Sequence, residues 1–302
     1  MNATPKPLPF NPSELQGLSE SLIRSHHENN YSGAVRRLNA IRAELSSVDF
    51  QSIANFSLNG LKREELIAAN SMLLHELYFD SLGSPPAGVP PPMGVALAAN
   101  FGSVERWKAE FSAMARALSG GSGWVLLTFL PQDGSLTNQW AADHTHALAG
   151  AIPILALDMY EHAYHIDYGA RAGAYVDAFM ANIRWGGVHE RYQRVVHDAA
   201  EPHAAAHGDV EGALLLDVRR AGAFEAASDL IQGATWRDPS LVNDWAHELP
   251  SGQKVIVYCV AGHEMSRGTA LRLRAAGLNA EFLAGGIEEW KANGNPTSPK
   301  AS

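Results

Sequence analysis

The sequence predicts two domains of different class, an α+β domain followed by a smaller α/β domain. At roughly 150 residues per domain, the 302 residues correspond to two domains. Helical patterns precede β-prone runs in residues 1–197, whereas buried strands and helices alternate over residues 208–302. Eleven of the 13 histidines precede residue 208, and the single cysteine is Cys259. The two domains are therefore expected to carry different chemistry.

Composition excludes several classes of protein. Hydrophobic residues make up 46% and charged residues 18%, so both domains can bury a core and a wholly disordered chain is excluded. The net charge of −9 is spread over both domains, which argues against nucleic acid as a partner. There is no run of 18 apolar residues, no signal-peptide segment at the start, and one cysteine only. We therefore expect a cytoplasmic protein with no membrane partner and no internal disulfide.

Two helical segments are predicted to form a hairpin over about residues 10–83. Residues 13–46 and 61–82 carry apolar side chains at spacings of three and four, which is the helical period. The stretch 84–92 is rich in proline and glycine and cannot continue a helix, so it predicts a long connection. Another helix is expected from Val104 to Leu118.

Strands are predicted to follow, and they complete an α/β part over about residues 94–197. The runs 124–130 and 152–157 are apolar and β-prone, and a helix returns from Ala172 to about Val196. Residues 198–207 are small, polar and without periodicity, which predicts a linker. In the second domain, residues 214–218 and 255–259 are apolar runs of the parallel-strand type, separated by helical stretches.

Four residues form a candidate metal site in the first domain: His26, His75, Asp158 and His162. Asp158 and His162 are four residues apart, a spacing that places both side chains on one face of a helical turn. Three nitrogens and one oxygen leave an open position, which suits iron or manganese better than a closed structural zinc site. Taken singly, each histidine is more often a surface or core residue, so the hypothesis depends on the combination.

The surroundings of these four residues resemble the iron/manganese superoxide dismutase family over about residues 8–196. The matching landmarks are HHENNYSGAVRRLNA (26–40), LHELYF (74–79), NFGS (100–103), GSGW (121–124), DMYEHAY (158–164), NIRW (182–185) and RY (191–192). The resemblance implies a helical hairpin followed by an α/β part, with one Fe or Mn ion bound between them by His26, His75, Asp158 and His162. The implied activity converts superoxide to oxygen and hydrogen peroxide.

This sequence departs from the family around the implied site. The family usually has His at Asn30, Tyr at Ala34, Trp at Tyr160 and Tyr at His165. The hypothesis is that other side chains near the metal take over proton transfer. The candidates are His144 first and His146 second for the hydrogen bond to metal-bound water, Tyr31 and His165 as replacements, and Trp124, Asn30, Tyr160 and Tyr164 around them. The alternative is that His144 and His146 are ordinary loop residues.

Glu161 is implied to bridge two subunits. In the family this glutamate crosses a two-fold interface and bonds a ligand histidine of the partner, which corresponds here to His162. A homodimer or homotetramer is expected. The alternative is a solvated helix carboxylate.

Cys259 is the candidate reactive group of the second domain. It ends a predicted strand and faces the start of a helix, where free backbone N–H groups stabilise a thiolate or bind an oxyanion. Arg267 is expected to add a fixed cation. The alternative is that Cys259 is a small buried apolar residue.

Residues 208–298 resemble the rhodanese family through LLDVR (215–219), GA (233–234) and LAGGIEEW (283–290). The resemblance implies that Cys259 carries a persulfide, that Asp217 and Arg219 hold the loop, and that a small sulfur donor or an oxyanion binds there. The loop after Cys259 is one residue longer than in ordinary sulfurtransferases, as in relatives that act on phosphate-like or arsenate-like oxyanions. His263 and Glu264 in this loop are either acid/base groups or solvated residues.

The sequence therefore predicts a superoxide dismutase with an appended rhodanese-like domain that carries a possible sulfurtransferase site. The alternative is a metal-binding stress or regulatory protein with weak dismutase activity, whose second domain binds an oxyanion or a partner.

Overall fold

The computed structural model describes residues 2–83 and 88–300, which form two domains connected in chain order. The helices are α1 (Glu20–Ser25), α2 (Ser32–Ser47), α3 (Asn55–Asp80), α4 (Pro91–Phe101), α5 (Val104–Ala117), α6 (His165–Tyr168), α7 (Ala172–Ala181), α8 (Trp185–Ala200), α9 (Ala221–Glu225), α10 (Val242–Trp245), α11 (Glu264–Ala275) and α12 (Gly286–Ala292). The strands are β1 (Trp124–Leu130), β2 (Ser135–Ala141), β3 (Ile152–Asp158), β4 (Ala204–Ala205), β5 (Leu214–Asp217), β6 (Asp229–Ile231), β7 (Thr235–Trp236), β8 (Lys254–Tyr258), β9 (Asn279–Leu283) and β10 (Thr297–Pro299). Across these ranges no helix combines the length and the apolar character that a membrane span requires.

A π-helical segment, His26–Tyr31, joins α1 to α2 without a break in the helical backbone. The Ser19 side chain caps the start of α1 by accepting a hydrogen bond from Leu22 N at 3.1 Å. A π-turn adds a residue to the helical repeat and turns the side chains that follow, and such segments are frequent at functional sites. α2 packs against α3, so the predicted hairpin of helices is confirmed.

The first domain has a three-stranded antiparallel sheet in the order β2-β1-β3. Six of the seven residues of the central strand β1 are buried, as its apolar sequence predicts. Trp124 at the start of β1 pairs with Asp158 at the end of β3. This register places the indole ring and the carboxylate at the same end of the sheet.

Two elements were not expected from the sequence. β2 has the mixed sequence SLTNQWA, so it lacked the apolar run that marked β1 and β3. α4 begins at Pro91, inside the stretch 84–92 that we predicted to be a connection. Proline is tolerated in the first turn of a helix, where its missing N–H has no partner to lose. Residues 84–87 of that predicted connection lie outside the described residues.

The second domain is built on a five-stranded parallel sheet in the order β4-β9-β8-β5-β7, as the predicted α/β class requires. Asp217 at the end of β5 pairs with Tyr258 at the end of β8. Cys259 and Arg219 follow these two strands directly, so they meet at the carboxyl edge of the sheet, where parallel α/β folds place their ligands. β6 and β10 form a separate antiparallel pair.

Part of the predicted linker 198–207 belongs to regular structure. α8 continues to Ala200, and Ala204–Ala205 form β4, which pairs with β9 in the second sheet. Two alanines give no apolar pattern in a sequence, but their backbone groups extend the sheet as well as those of larger residues do.

The two domains share a packed junction. Tyr192 and Val196 of α8 belong to the same buried apolar cluster as Leu271 of α11. Gly134, in the turn between β1 and β2, lies so close to α11 that a Cβ added to it would be 2.7 Å from Leu271 Cβ. Arg272 donates from Nη1 to Asn100 Oδ1 at 2.6 Å. The second domain is therefore docked on the first over helices and a turn.

Candidate metal centre and cysteine site

Four separate elements bring the predicted metal ligands together. His26 lies in the π-helical segment, His75 on α3, Asp158 at the end of β3 and His162 in the turn that follows. One ligand atom from each lies within 4.8 Å of all the others. Asp158 Oδ2 is 3.1 Å from His26 Nε2 and 3.2 Å from His162 Nε2. Ligands that each lie about 2.1 Å from one metal ion are separated by about 3.0–3.5 Å, so this spacing fits a shared ion.

The ionisation states of these residues also fit a metal. Burial, together with the neighbouring His26, lowers the pKa of His75 to about 3. Burial likewise lowers the pKa of His26. Burial opposes ionisation of Asp158, but the imidazoles of His162 and His26 outweigh it and hold the pKa of that carboxyl below its usual range. Imidazole nitrogens and a carboxylate oxygen are donors that iron and manganese accept.

Hydrogen bonds orient the ligand atoms. His75 Nδ1 donates to the carbonyl oxygen of Ser71 at 2.6 Å, which leaves the Nε2 lone pair free. Tyr160 N donates to Asp158 Oδ1 at 2.8 Å, so Oδ2 is the oxygen that faces the histidines. Tyr175 Oη donates to the carbonyl oxygen of Asp158 at 2.8 Å. Tyr175 was not predicted, because it lies among the core-spaced residues of α7 and carries no motif signal.

His144 lies close to the metal ligands, as we expected. Trp124 Nε1 donates to His144 Nδ1 at 2.9 Å, so a neutral His144 carries its proton on Nε2. The His144 ring stacks on Tyr160 at 4.8 Å between centroids, and Tyr160 stacks on His162 at 5.4 Å. Burial raises the pKa of Tyr160 to about 12, so its hydroxyl stays protonated.

Several predicted residues lie away from the four ligands. His146 is exposed, and its Nδ1 accepts a hydrogen bond from Ala142 N at 3.1 Å. His165 is exposed at the start of α6. Tyr164 is buried and stacks on Tyr175. Tyr31 does lie near the ligands, with its ring 6.4 Å from the His75 ring, but its hydroxyl accepts from Lys6 N at 2.8 Å and donates to Glu76 at 3.1 Å. His144 is half-buried beside the ligands, whereas His146 and His165 are exposed.

A cavity of about 330 Å³ lies beside the ligand group, where the family usually has larger side chains. Asn30, Ala34, Ser71 and His144 line it, together with Arg37, which forms an ion pair with Glu64. The sequence did not reveal a basic residue near the path of the anion. Arg37 gave no signal because it is one of several regularly spaced charged residues on an amphipathic helix.

The second site lies around Cys259, which is buried at the carboxyl end of β8. Its Sγ is 3.3 Å from Ser266 Oγ. Arg219 donates from Nε to both carboxylate oxygens of Asp217, at 2.8 and 3.0 Å, and from Nη2 to the carbonyl oxygen of Asp229. These bonds connect the end of β5 to the start of β6.

Arg267 does not take the position that we expected. Its Nε donates to the carbonyl oxygen of Gly262, its Nη1 to Glu201 at 2.7 Å, and its guanidinium lies 4.1 Å from the centre of the Phe282 ring. The cavity at Cys259 is lined by Arg219 and Arg220 but not by Arg267. The structure thus places the Arg267 guanidinium away from the lining of this cavity, paired with Glu201 in the turn that follows α8.

The fold and the His₃Asp group together define a mononuclear metalloprotein with an appended α/β domain. The family model described as "Iron/manganese superoxide dismutases, C-terminal domain" matches residues 91–191, and the model described as "Rhodanese-like domain" matches residues 199–293. A protein of Cupriavidus metallidurans named "Superoxide dismutase [Fe]" is 62% identical over 193 residues, 64% of this chain and 98% of that protein.

More distant relatives extend the match. "Superoxide dismutase [Mn] 1" of Halobacterium salinarum is 35% identical over 193 residues, covering 62% of this chain and 94% of that protein. "Superoxide dismutase [Fe]" of Aquifex aeolicus is 32% identical over 192 residues, covering 61% and 89%. The chain belongs to the iron/manganese superoxide dismutase family, and it carries a rhodanese-like domain after the dismutase part. The resemblances seen in the sequence are confirmed.

Proposed function

We propose that this protein converts superoxide to oxygen and hydrogen peroxide at one Fe or Mn ion per chain. The observation that carries the proposal is the group His26, His75, Asp158 and His162, whose ligand atoms lie within 4.8 Å of one another. Relatives named for iron and for manganese both support the choice of metal. When bound by these four residues, the ion would supply the one-electron redox chemistry that the conversion of superoxide to oxygen and hydrogen peroxide requires.

The residues of the chain provide binding and protons for this reaction. The four ligands would hold the ion, and the cavity of about 330 Å³ lined by Asn30, Ala34 and His144 would receive a small anion near them. Formation of hydrogen peroxide consumes two protons. His144 lines the cavity and holds a proton at Nε2, because Trp124 occupies its Nδ1. The His and Tyr that the family usually has are replaced here by Asn30 and Ala34, and His144 takes over the role of proton donor.

Elemental analysis of the purified protein, combined with a superoxide assay, tests this function. We expect about one Fe or Mn per chain and an activity that is lost on chelation and restored by Fe or Mn. Full metal occupancy without dismutation would contradict the proposal and leave a metal-binding role for the first domain.

We propose that the protein assembles as a homodimer or homotetramer through the face that carries Glu161. Glu161 and Ile166 are exposed beside His162, whose side chain is 26% exposed although the other three ligands are buried. A partner subunit on this face would cover the remaining edge of His162. A carboxylate of the partner subunit would then accept a hydrogen bond from the imidazole ring of His162.

We propose sulfur transfer at Cys259 for the second domain. The match to the rhodanese-like family over residues 199–293, with Cys259 at the carboxyl edge of the parallel sheet and facing a cavity, supports this role. The Cys259 thiolate would attack the outer sulfur of a donor and become a persulfide, while the donor's bond to that sulfur breaks and the rest of the donor leaves with the electron pair. A free thiol in this role suits a reducing, cytoplasmic compartment.

Cys259→Ser is expected to abolish persulfide formation on the chain. The measurement is intact-protein mass spectrometry after incubation with a persulfide donor, where the unmodified protein should gain one sulfur atom and the variant none. Because Cys259 is the single cysteine, a gain of sulfur in the variant would refute the assignment.

A further inference from the structure

Both domains line the cavity at Cys259. Its volume is about 250 Å³, and the second domain contributes the loop after Cys259 and the residues around Arg219 and Arg220. Pro92, His189 and Gln193 of the first domain close the remaining side. The site is therefore complete only when the two domains are docked.

Glu264 is the residue through which the first domain acts on this site. Its side chain is 5% exposed at the start of α11. His189 Nε2 donates to Oε1 at 3.0 Å, and Gln193 Nε2 donates to Oε2 at 3.1 Å. Burial opposes ionisation of Glu264, but the hydrogen bonds from His189 and Gln193 outweigh it and lower the pKa to about 2. A carboxylate is therefore fixed in the wall of the cavity.

This carboxylate belongs to the first turn of α11, the end of a helix that favours negative charge. The first N–H groups of a helix have no partner within the helix, and the helix dipole favours negative charge beside them. In α11 the favoured negative charge belongs to Glu264, the first residue of the helix. An external oxyanion would have to compete with it.

The arginines near the cavity do not outweigh the negative charge of Glu264. Arg267 is turned toward Glu201 and Phe282. Arg219 is paired with the buried carboxylate of Asp217. Arg220 is the remaining arginine of the lining, and its formal charge of +1 is offset by the formal charge of −1 on Glu264, which lines the same cavity. The wall as a whole therefore carries little net positive charge.

We propose that the Cys259 cavity selects sulfur donors of low negative charge over dianions such as thiosulfate, and that His189 and Gln193 are positioning residues that hold the selecting carboxylate of Glu264. The donor class rests on the sulfur transfer proposed above. With an organic persulfide, RS–SH, the Cys259 thiolate attacks the terminal sulfur and forms a new S–S bond. The S–S bond of the donor breaks, RS⁻ leaves with the electron pair, and the enzyme retains Cys–S–SH.

Two alkylating probes of similar size measure this selection without any sulfur transfer. Iodoacetamide is neutral and iodoacetate carries one negative charge, and both react with the Cys259 thiolate by displacing iodide. The ratio of their rate constants cancels the thiolate fraction, so it reports the electrostatic field at the sulfur. We expect the iodoacetate-to-iodoacetamide ratio to be lower in the folded protein than in the urea-unfolded chain.

Glu264→Gln is expected to raise that ratio by about fivefold, since one nearby charge is removed while the shape is kept. Glu211→Gln, which removes an exposed charge of the same domain, is the matched control and should leave the ratio unchanged. His189→Ala should raise the ratio by about twofold, and His189→Gln, which keeps a donor, should restore it. A purely structural role of His189 would change both rates equally.

Equal ratios in Glu264→Gln and Glu211→Gln, or an unchanged ratio in His189→Ala, would overturn the proposal. Loss of persulfide formation with a normal ratio would instead refute sulfur transfer and leave the charge selection intact. The rate with iodoacetamide shows in each variant that the cavity is still formed.

Discussion

Asp158→Asn is expected to empty the metal centre and to lower dismutase activity at least about a hundredfold. Substitution of groups that only orient metal ligands already costs 10–100-fold, and Asp158 is itself a ligand. The amide keeps the size of the carboxylate and can still accept from Tyr160 N. It removes the negative charge that three imidazole nitrogens face, and it can direct an NH₂ group toward His26 and His162.

The measurement is metal content per chain together with the dismutation rate per chain. Asp177→Asn is the control, because Asp177 lies on the surface of α7 with a side chain that is 70% exposed. We expect that control to retain both metal and activity. Normal metal content in Asp158→Asn, with the rate within a factor of about three of the unmodified protein, would contradict the assigned centre.

Much of the metal centre could be predicted from the sequence because its residues occur in local motifs. His26, His75 and the Asp158–His162 pair each lie within a short pattern that specifies chemistry as well as structure. The geometry that joins them could not be read locally. It depends on the π-helical segment, on the register of Trp124 with Asp158, and on the pairing of β1 with β3.

The surroundings of the centre were harder to predict for a physical reason. Whether a residue can replace one of the family's usual proton donors depends on its position in space, and the sequence contains several histidines that could fill each role. His144 and His146 are two residues apart in one loop, but only His144 meets Trp124 and Tyr160. Arg267 shows the same limit, since its charge is paired with Glu201, a residue 66 positions away in the sequence.

The junction itself could not be read from either family pattern, since each pattern describes one domain alone. Its polar part is the bond of His189 and Gln193 to Glu264, and its apolar part joins α8 to α11. Because the Cys259 cavity is lined from both sides of this junction, the stability of the docking and the chemistry of the second site are coupled.

Leu271→Ala is expected to lower the free energy of unfolding by about 2–4 kcal/mol, through lost apolar burial and the cavity left behind. Leu271 is 4% exposed, and its Cβ lies against Gly134 of the first domain. Gly134 has φ +68° and no side chain, so it cannot fill the cavity left by the Leu271 side chain through a rotamer change. Urea unfolding followed by tryptophan fluorescence measures the change, because both domains contain some of the seven tryptophans.

Leu241→Ala is the matched control for this prediction, since Leu241 is 50% exposed and should change the free energy of unfolding by less than about 0.5 kcal/mol. In Leu271→Ala the transition should move to lower urea for both domains, because Leu271 belongs to a buried cluster that contains residues of each. A shift confined to the second domain would show that this domain unfolds independently of the dismutase part. The Cys259 cavity would then depend on His189 and Gln193 for its closure more than on the apolar contact, and the alkylation ratio measured in Leu271→Ala would stay at the unmodified value.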